Sequence, residues 1–186
     1  MLEEIIEEVK DSMEKAIESL RKDLASIRTG RASTAMLDNV RVEYYGNLTP
    51  LNQMASISVP EPRLLTVKPW EANQIPEIEK AIVADKSLGL NPSNDGALIR
   101  LPIPELTEER RIEITKVARA RAEDGRVAIR HARRDGIDLL QQAQKDGDIS
   151  EDESRIAQDS VQKVTDEFVH RVEDIMKNKE EEIMEV

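Results

Sequence analysis

Arg119, Arg126, Arg130 and Arg133 stand at offsets of 0, 7, 11 and 14 along the chain. On an α-helix turning about 100° per residue their side chains fall within a strip roughly 60° wide, with Arg134 at its edge. The planar guanidinium fork suits phosphate oxygens better than a point-charge ammonium does. Between Lys116 and Arg134 seven Lys/Arg face two Asp/Glu, a local charge of +5, while the whole chain carries −11. Overall acidity discourages indiscriminate adhesion to nucleic acid, so a compact basic strip on this background marks one surface for anion contact. A solvated charged face is the plain alternative for any helix. Like charges spaced four and seven apart cost helix stability, which favours a partner for this strip.

A helix over about 107–145 must carry these arginines. Thr107 reads as its N-cap, and Glu108 and Glu109 suit the positive end of the helix dipole. Ile114, Ala118, Ala128, Ala132 and Leu139 are its expected packing side. Gly125 and Gly136 lie inside it and weaken it by roughly 1 kcal/mol each relative to Ala. Asp146-Gly147-Asp148 stops it, and Ser150 with Glu153 forms a capping box for a further helix. That last helix buries Ala157, Val161, Val164, Phe168, Val172, Ile175, Met176 and Ile183. At the other end of the chain, Leu2, Ile5, Ile6, Val9, Met13, Ala16, Ile17, Leu20, Leu24 and Ile27 recur every three or four residues, predicting a helix over the first 28. Gly30 is positioned to end it in a left-handed conformation.

Between these helices the chain changes character. All eight prolines fall from Pro50 to Pro104 and forbid long helices there. Residues 40–45, 57–59, 64–67 and 97–101 read as strands, Gly46-Asn47 as a turn, and 75–82 as one short helix. A helix of about 27 residues is some 40 Å long and cannot bury its apolar face alone, so the first helix must rejoin the last two. The expected architecture is α+β: an elongated three-helix bundle from residues 1–29 and 105–186, interrupted by a small β/α/β domain at 30–104. The chain enters and leaves this insert near 29–31 and 104–105. Such a double connection permits bending about one axis, and Gly30 adds compliance; a rigid contact is the competing reading.

Composition narrows the function. Aromatics make up 2% and charged residues 35%, which suits helices packed through aliphatic side chains. Cysteine is absent, excluding thiol nucleophiles, disulfides and cysteine metal sites. The only histidines, His131 and His170, belong to different helices, and neither a glycine-rich phosphate loop nor an HExxH signature occurs. No nucleophile–base pair emerges, so no enzyme, cofactor or metal is expected. Trp70 reads as insert core rather than a base-stacking platform, and His131 as a solvated polar residue. The start of the chain lacks a signal peptide and no apolar run approaches a membrane span, so a cytoplasmic protein is expected. A helical scaffold for other proteins is the rival reading, although it would need neither the arginine strip nor the proline-rich insert.

Five stretches, in this order, carry a family resemblance: Ile27-Arg28-Thr29-Gly30-Arg31-Ala32; Val42-Glu43-Tyr44-Tyr45-Gly46; Asn94-Asp95-Gly96 with Ile99-Arg100; Leu106-Thr107-Glu108-Glu109-Arg110-Arg111; and the run from Val127 to Asp135. Over essentially its whole length the chain resembles the bacterial ribosome recycling factors. The resemblance implies an L-shaped, tRNA-sized monomer that binds the post-termination ribosome and splits its subunits with elongation factor G and GTP hydrolysis, releasing mRNA and tRNA. It implies contact between Arg130 and Arg133 and large-subunit rRNA, to which the helical strip adds Arg119, Arg126 and Arg134. It also implies a hinge at Arg28, Thr29, Gly30, Arg31, Pro104 and Glu105. His131 stands where Asn is frequent in the family, Gly136 where Ala is, and Gly125 is unusual. A ribosome-bound factor that occupies the same cleft without recycling is separated from this reading by the resemblance alone.

Overall fold

The computed structural model describes residues 1–86 and 88–185. Ser87 and Val186, inside the expected ranges 30–104 and 105–186, lie outside the described residues. The chain forms two compact units. One comprises residues 1–24 and 115–181; the other comprises residues 25–114 and the segment from Glu182 onward. The fold is α+β, a helical bundle with an inserted β-rich part.

The first unit is a three-helix bundle of α1 (Leu2–Ala25), the greater part of α3 (Glu108–Lys145) and α4 (Glu151–Met184). α1 buries Val9, Met13, Ala16, Ile17, Leu20 and Leu24 of the stripe its periodicity predicts, while Leu2, Ile5 and Ile6 in its first turns, and Ile27 beyond its end, are only partly buried. Val9 and Leu20 of α1 approach Gly136 and Gly125 of α3, so these two helices run antiparallel. α3 and α4 are antiparallel as well. Their connection is built from local signals: Gly147 turns the chain at φ 78°, and Asp148 N–H donates to Ala143 O at 2.9 Å. The capping box is present: Glu153 N–H donates to Ser150 Oγ at 3.1 Å and Ser150 N–H to Glu153 Oε1 at 3.4 Å. On α4 the expected residues are buried, except that Ile175 is only partly so.

The packing side of α3 differs from expectation. Ala128 and Leu139 are exposed, and the buried stripe runs through Ala118, Ala122, Gly125, Ile129, Ala132, Gly136 and Leu140. The two glycines lie in the middle of this seam. Counting only apolar side chains overlooks them, because they contribute proximity rather than surface and let the α1 side chains seat against the α3 backbone.

The second unit contains two antiparallel sheets and α2 (Ile75–Ala84). β1 (Arg41–Tyr44) and β2 (Asn47–Pro50) form a hairpin, and its two turn residues are Tyr45 and Gly46. Both have positive φ, 49° and 83°, as a turn matched to strand twist requires. The turn therefore lies one residue earlier than Gly46-Asn47. A four-stranded sheet has the order β3 (Ala55–Glu61), β4 (Leu64–Pro69), β6 (Ile99–Pro102), β5 (Ser93–Asn94). Pro60 is accommodated because β3 is an edge strand. Pro76 sits in the first turn of α2, where its missing N–H costs nothing. Leu65, Val67, Ile78, Ile82, Ile99 and Leu101 are completely enclosed in this unit's core.

Two further expectations are corrected. α1 ends at Ala25 and Gly30 does not adopt a left-handed conformation. The chain leaves the helix early, Thr29 becomes buried, and Arg28 donates from Nη2 to Pro104 O at 2.9 Å. Trp70 is 67% exposed and outside the core, which this unit fills with aliphatic side chains instead.

Candidate nucleic-acid interface

Thr107 caps α3 as expected, its Oγ1 accepting from Arg110 N–H at 3.1 Å. The helix then presents its arginines beside α4 in a regular pattern. Arg119 Nε donates to Glu180 Oε1 at 2.7 Å, Arg126 Nε to Glu173 Oε1 at 3.1 Å, and Arg133 Nε to Gln162 Oε1 at 2.7 Å. Seven residues down α3 match seven residues up α4 for the first two pairs, as antiparallel helices require. At the third position Gln162 is itself tied down, its Nε2 donating to Asp166 Oδ1 at 2.9 Å.

The expected arginines therefore share one side of α3 but differ in electrostatic standing. Arg126 is the most enclosed, with 20% of its side chain exposed, and it meets two carboxylates, Glu173 and Glu123. Arg130 is 57% exposed and also reaches Glu123, at 3.2 Å. Arg126 first, and then Arg130, hold the Glu123 carboxyl below its usual value. Arg119 is 66% exposed and paired with one carboxylate. Arg133 bonds a neutral amide, so its charge is uncompensated by that contact. Arg134 and His131 are exposed.

The residues expected to form a hinge also come together, within the second unit. Besides the Arg28–Pro104 bond, Ala32 N–H donates to Pro62 O at 2.7 Å and Ile103 N–H to Arg63 O at 2.8 Å. Arg63 pairs with Glu105 at 2.8 Å, and Arg31 with Glu185 at 2.5 Å. Ala32, Ile103 and Glu105 are thus all strapped to the turn at Pro62-Arg63. Burial, and then nearby Arg110, lower the Arg28 guanidinium from its usual value. A Cβ built on Gly30 meets nothing within 4 Å. Gly30, Arg31, Pro62, Arg63, Glu105 and Leu106 help to line a cavity of about 270 Å³.

Single-helix periodicity does not reveal Glu173, Glu180 and Gln162 as partners of the arginines. The signal that could have found them is the seven-residue step shared by Arg119/Arg126 and Glu173/Glu180. Among the described residues no group of His, Asp or Glu is arranged to hold a metal ion, and no helix is long and apolar enough to cross a membrane.

These features define an α+β protein whose helical bundle carries a row of arginines on one side of α3, three of them paired with carboxylates and Arg133 with a neutral amide. The family model described as "Ribosome recycling factor" matches residues 20–184. Ribosome-recycling factors from Carboxydothermus hydrogenoformans and Sorangium cellulosum are 52% and 53% identical over 186 residues, covering all of this chain and all of each relative. A solution structure of a ribosome recycling factor is 40% identical and superposes with a TM-score of 0.76, covering 100% of this chain and 98% of its own. Another structure, describing the T. thermophilus ribosome recycling factor and the E. coli elongation factor G bound to the E. coli post-termination complex, is 45% identical with a TM-score of 0.68, covering both chains fully. The chain belongs to the ribosome recycling factor family.

Proposed function

We propose that this protein binds the post-termination ribosome and, together with elongation factor G and GTP hydrolysis, separates the subunits and frees mRNA and tRNA. The observation that carries this reading is similarity over the full length to a T. thermophilus factor described with elongation factor G on a post-termination complex. The basic side of α3 supplies the chemistry: Arg119, Arg130, Arg133 and Arg134 neutralise large-subunit rRNA phosphates, which positions the bundle without reading base sequence. Arg126, enclosed between two carboxylates, holds this face together more than it touches RNA. The crossings at Arg28–Arg31 and Pro104-Glu105 form the joint at which the insert, residues 30–104, turns as it transmits force. The factor works as a cytoplasmic monomer and borrows its energy from the partner GTPase rather than catalysing a reaction.

The test is a splitting assay on purified post-termination ribosomes with and without elongation factor G. Subunit separation that needs both proteins and GTP supports the reading; tight ribosome binding without any splitting would overturn it in favour of a non-recycling factor.

A further inference from the structure

The three arginines that face α4 share one detail: each is held by its Nε. Arg119, Arg126 and Arg133 all spend this inner donor on a side chain of the neighbouring helix. A guanidinium held through Nε has its plane set and its paired Nη groups directed away from the seam. This outer edge can take two phosphate oxygens side by side. At Arg126 it is already engaged, Nη1 donating to Glu123 at 3.0 Å.

Arg133 differs from its neighbours in one respect. Glu180 and Glu173 both orient an arginine and cancel its charge, whereas Gln162 orients Arg133 and leaves its charge intact. Gln162 is suited to this because it is fixed from behind: Asp166, one turn further along α4, accepts from its amide nitrogen and so turns its amide oxygen toward Arg133. An exposed, unrestrained Gln would sample several rotamers and hold nothing.

We infer that Gln162, secured by Asp166, is a positioning residue for the ribosome-binding face, aiming Arg133 at a phosphate before binding. This rests on the rRNA-phosphate reading of α3. Arg133 then binds with its side-chain entropy already largely lost, which strengthens binding without adding a contact. Glu180 cannot serve Arg119 equally well, because its carboxylate competes with the phosphate it would help to bind.

Gln162→Ala tests this cleanly. Gln162 is exposed, and the change alters no charge and favours helix, so thermal unfolding should show a bundle at least as stable as the parent. Binding to purified bacterial ribosomes, followed across a salt titration, should weaken about threefold to tenfold with an unchanged salt slope, because the number of neutralised phosphates is the same. In an Arg133→Ala background Gln162→Ala should have no further effect. The Nε–H resonance of Arg133 should exchange more slowly in the parent than in Gln162→Ala or Asp166→Ala. If Arg133→Ala weakens binding while Gln162→Ala leaves it unchanged, the positioning role is wrong and the rRNA reading stands. If Arg133→Ala itself leaves affinity and slope unchanged, the rRNA reading of this face fails first. Tighter binding by Gln162→Ala would mean that the amide masks Arg133, and would overturn the inference.

Discussion

Val9 of α1 and Gly136 of α3 are packed so closely that a Cβ on Gly136 would stand 2.4 Å from Val9 Cγ2. Real carbon atoms do not approach to that distance, and Val9 is a short, stiff, buried side chain that cannot swing aside. Gly125 on the same helix is different, since its added Cβ would meet Leu20 Cδ2 at 3.4 Å, an ordinary contact. The two glycines should therefore respond oppositely to alanine. Gly125→Ala should stabilise the bundle by up to about 1 kcal/mol through helix propensity. Gly136→Ala receives the same gain but adds overpacking of about 1–3 kcal/mol, and should be destabilised by up to about 2 kcal/mol net. Urea unfolding checks both. Combining Gly136→Ala with Val9→Ala should cost less than the two single changes together, because the cavity from one accepts the methyl of the other.

Arg171 of α4 donates from Nη1 and Nη2 to the two carboxylate oxygens of Glu14 on α1, at 2.8 and 2.9 Å, and its guanidinium lies 4.8 Å from the Phe168 ring centre. Hydrogen bonding to Arg171 is the main reason the Glu14 carboxyl is held below its usual 4.5. A carboxyl whose folded value is depressed contributes stability that is fully present above its ordinary value and is lost as pH falls through the depressed one. The gap in thermal stability between the parent and Glu14→Gln should thus be constant at neutral pH and narrow as pH drops below 4.5. A gap that stays constant into strong acid would show that the pair contributes nothing through its charge.

Trp70 is the only tryptophan and is 67% exposed, while the backbone N–H of the same residue remains in the fold, donating to Met54 O at 3.1 Å. Intrinsic fluorescence should therefore show the emission of a solvated indole in the native state, readily quenched by iodide or acrylamide and shifting little on unfolding. Trp70→Ala should change stability by no more than about 0.5 kcal/mol, the range of surface substitutions. A blue-shifted, unquenchable emission would place the indole in the core instead.

How much of this was legible in the sequence varies with the kind of signal. The buried stripe of α1, the Thr107 and Ser150 caps and the Gly147 stop all follow from contacts within one or two helical turns, and the structure has them in place. The end of α1 was not legible: periodicity extends to Ile27, but Arg28 is drawn to Pro104, 76 residues away. The α3 seam was misjudged at Ala128 and Leu139 because glycine, invisible to a count of apolar side chains, occupies its centre. Trp70 was misplaced for the opposite reason: its size suggests core, yet the aliphatic residues of its unit already fill that core. The arginine strip was visible on a helical wheel, but a wheel of one helix says nothing about the rotation of its neighbour. Which arginines α4 neutralises was therefore hidden.

That difference in neutralisation makes the last prediction. Arg126 and Arg133 lie seven residues apart on the same side of α3, and composition alone would give their removal equal weight. Arg126 is enclosed by Glu123 and Glu173, whereas Arg133 bonds only the neutral Gln162 among the contacts just described. A cation already paired with two carboxylates releases few counterions when phosphate arrives, and an unpaired one releases about one. Arg133→Ala should lower the salt dependence of ribosome binding by about one unit of slope and weaken affinity most at low salt. Arg126→Ala should leave the slope nearly unchanged and instead cost the bundle about 1 kcal/mol or less, the worth of partly exposed ion pairs. Measuring both variants over one salt series separates the two roles. Equal slopes for Arg126→Ala and Arg133→Ala would mean that the acids of α4 do not decide which arginine meets phosphate.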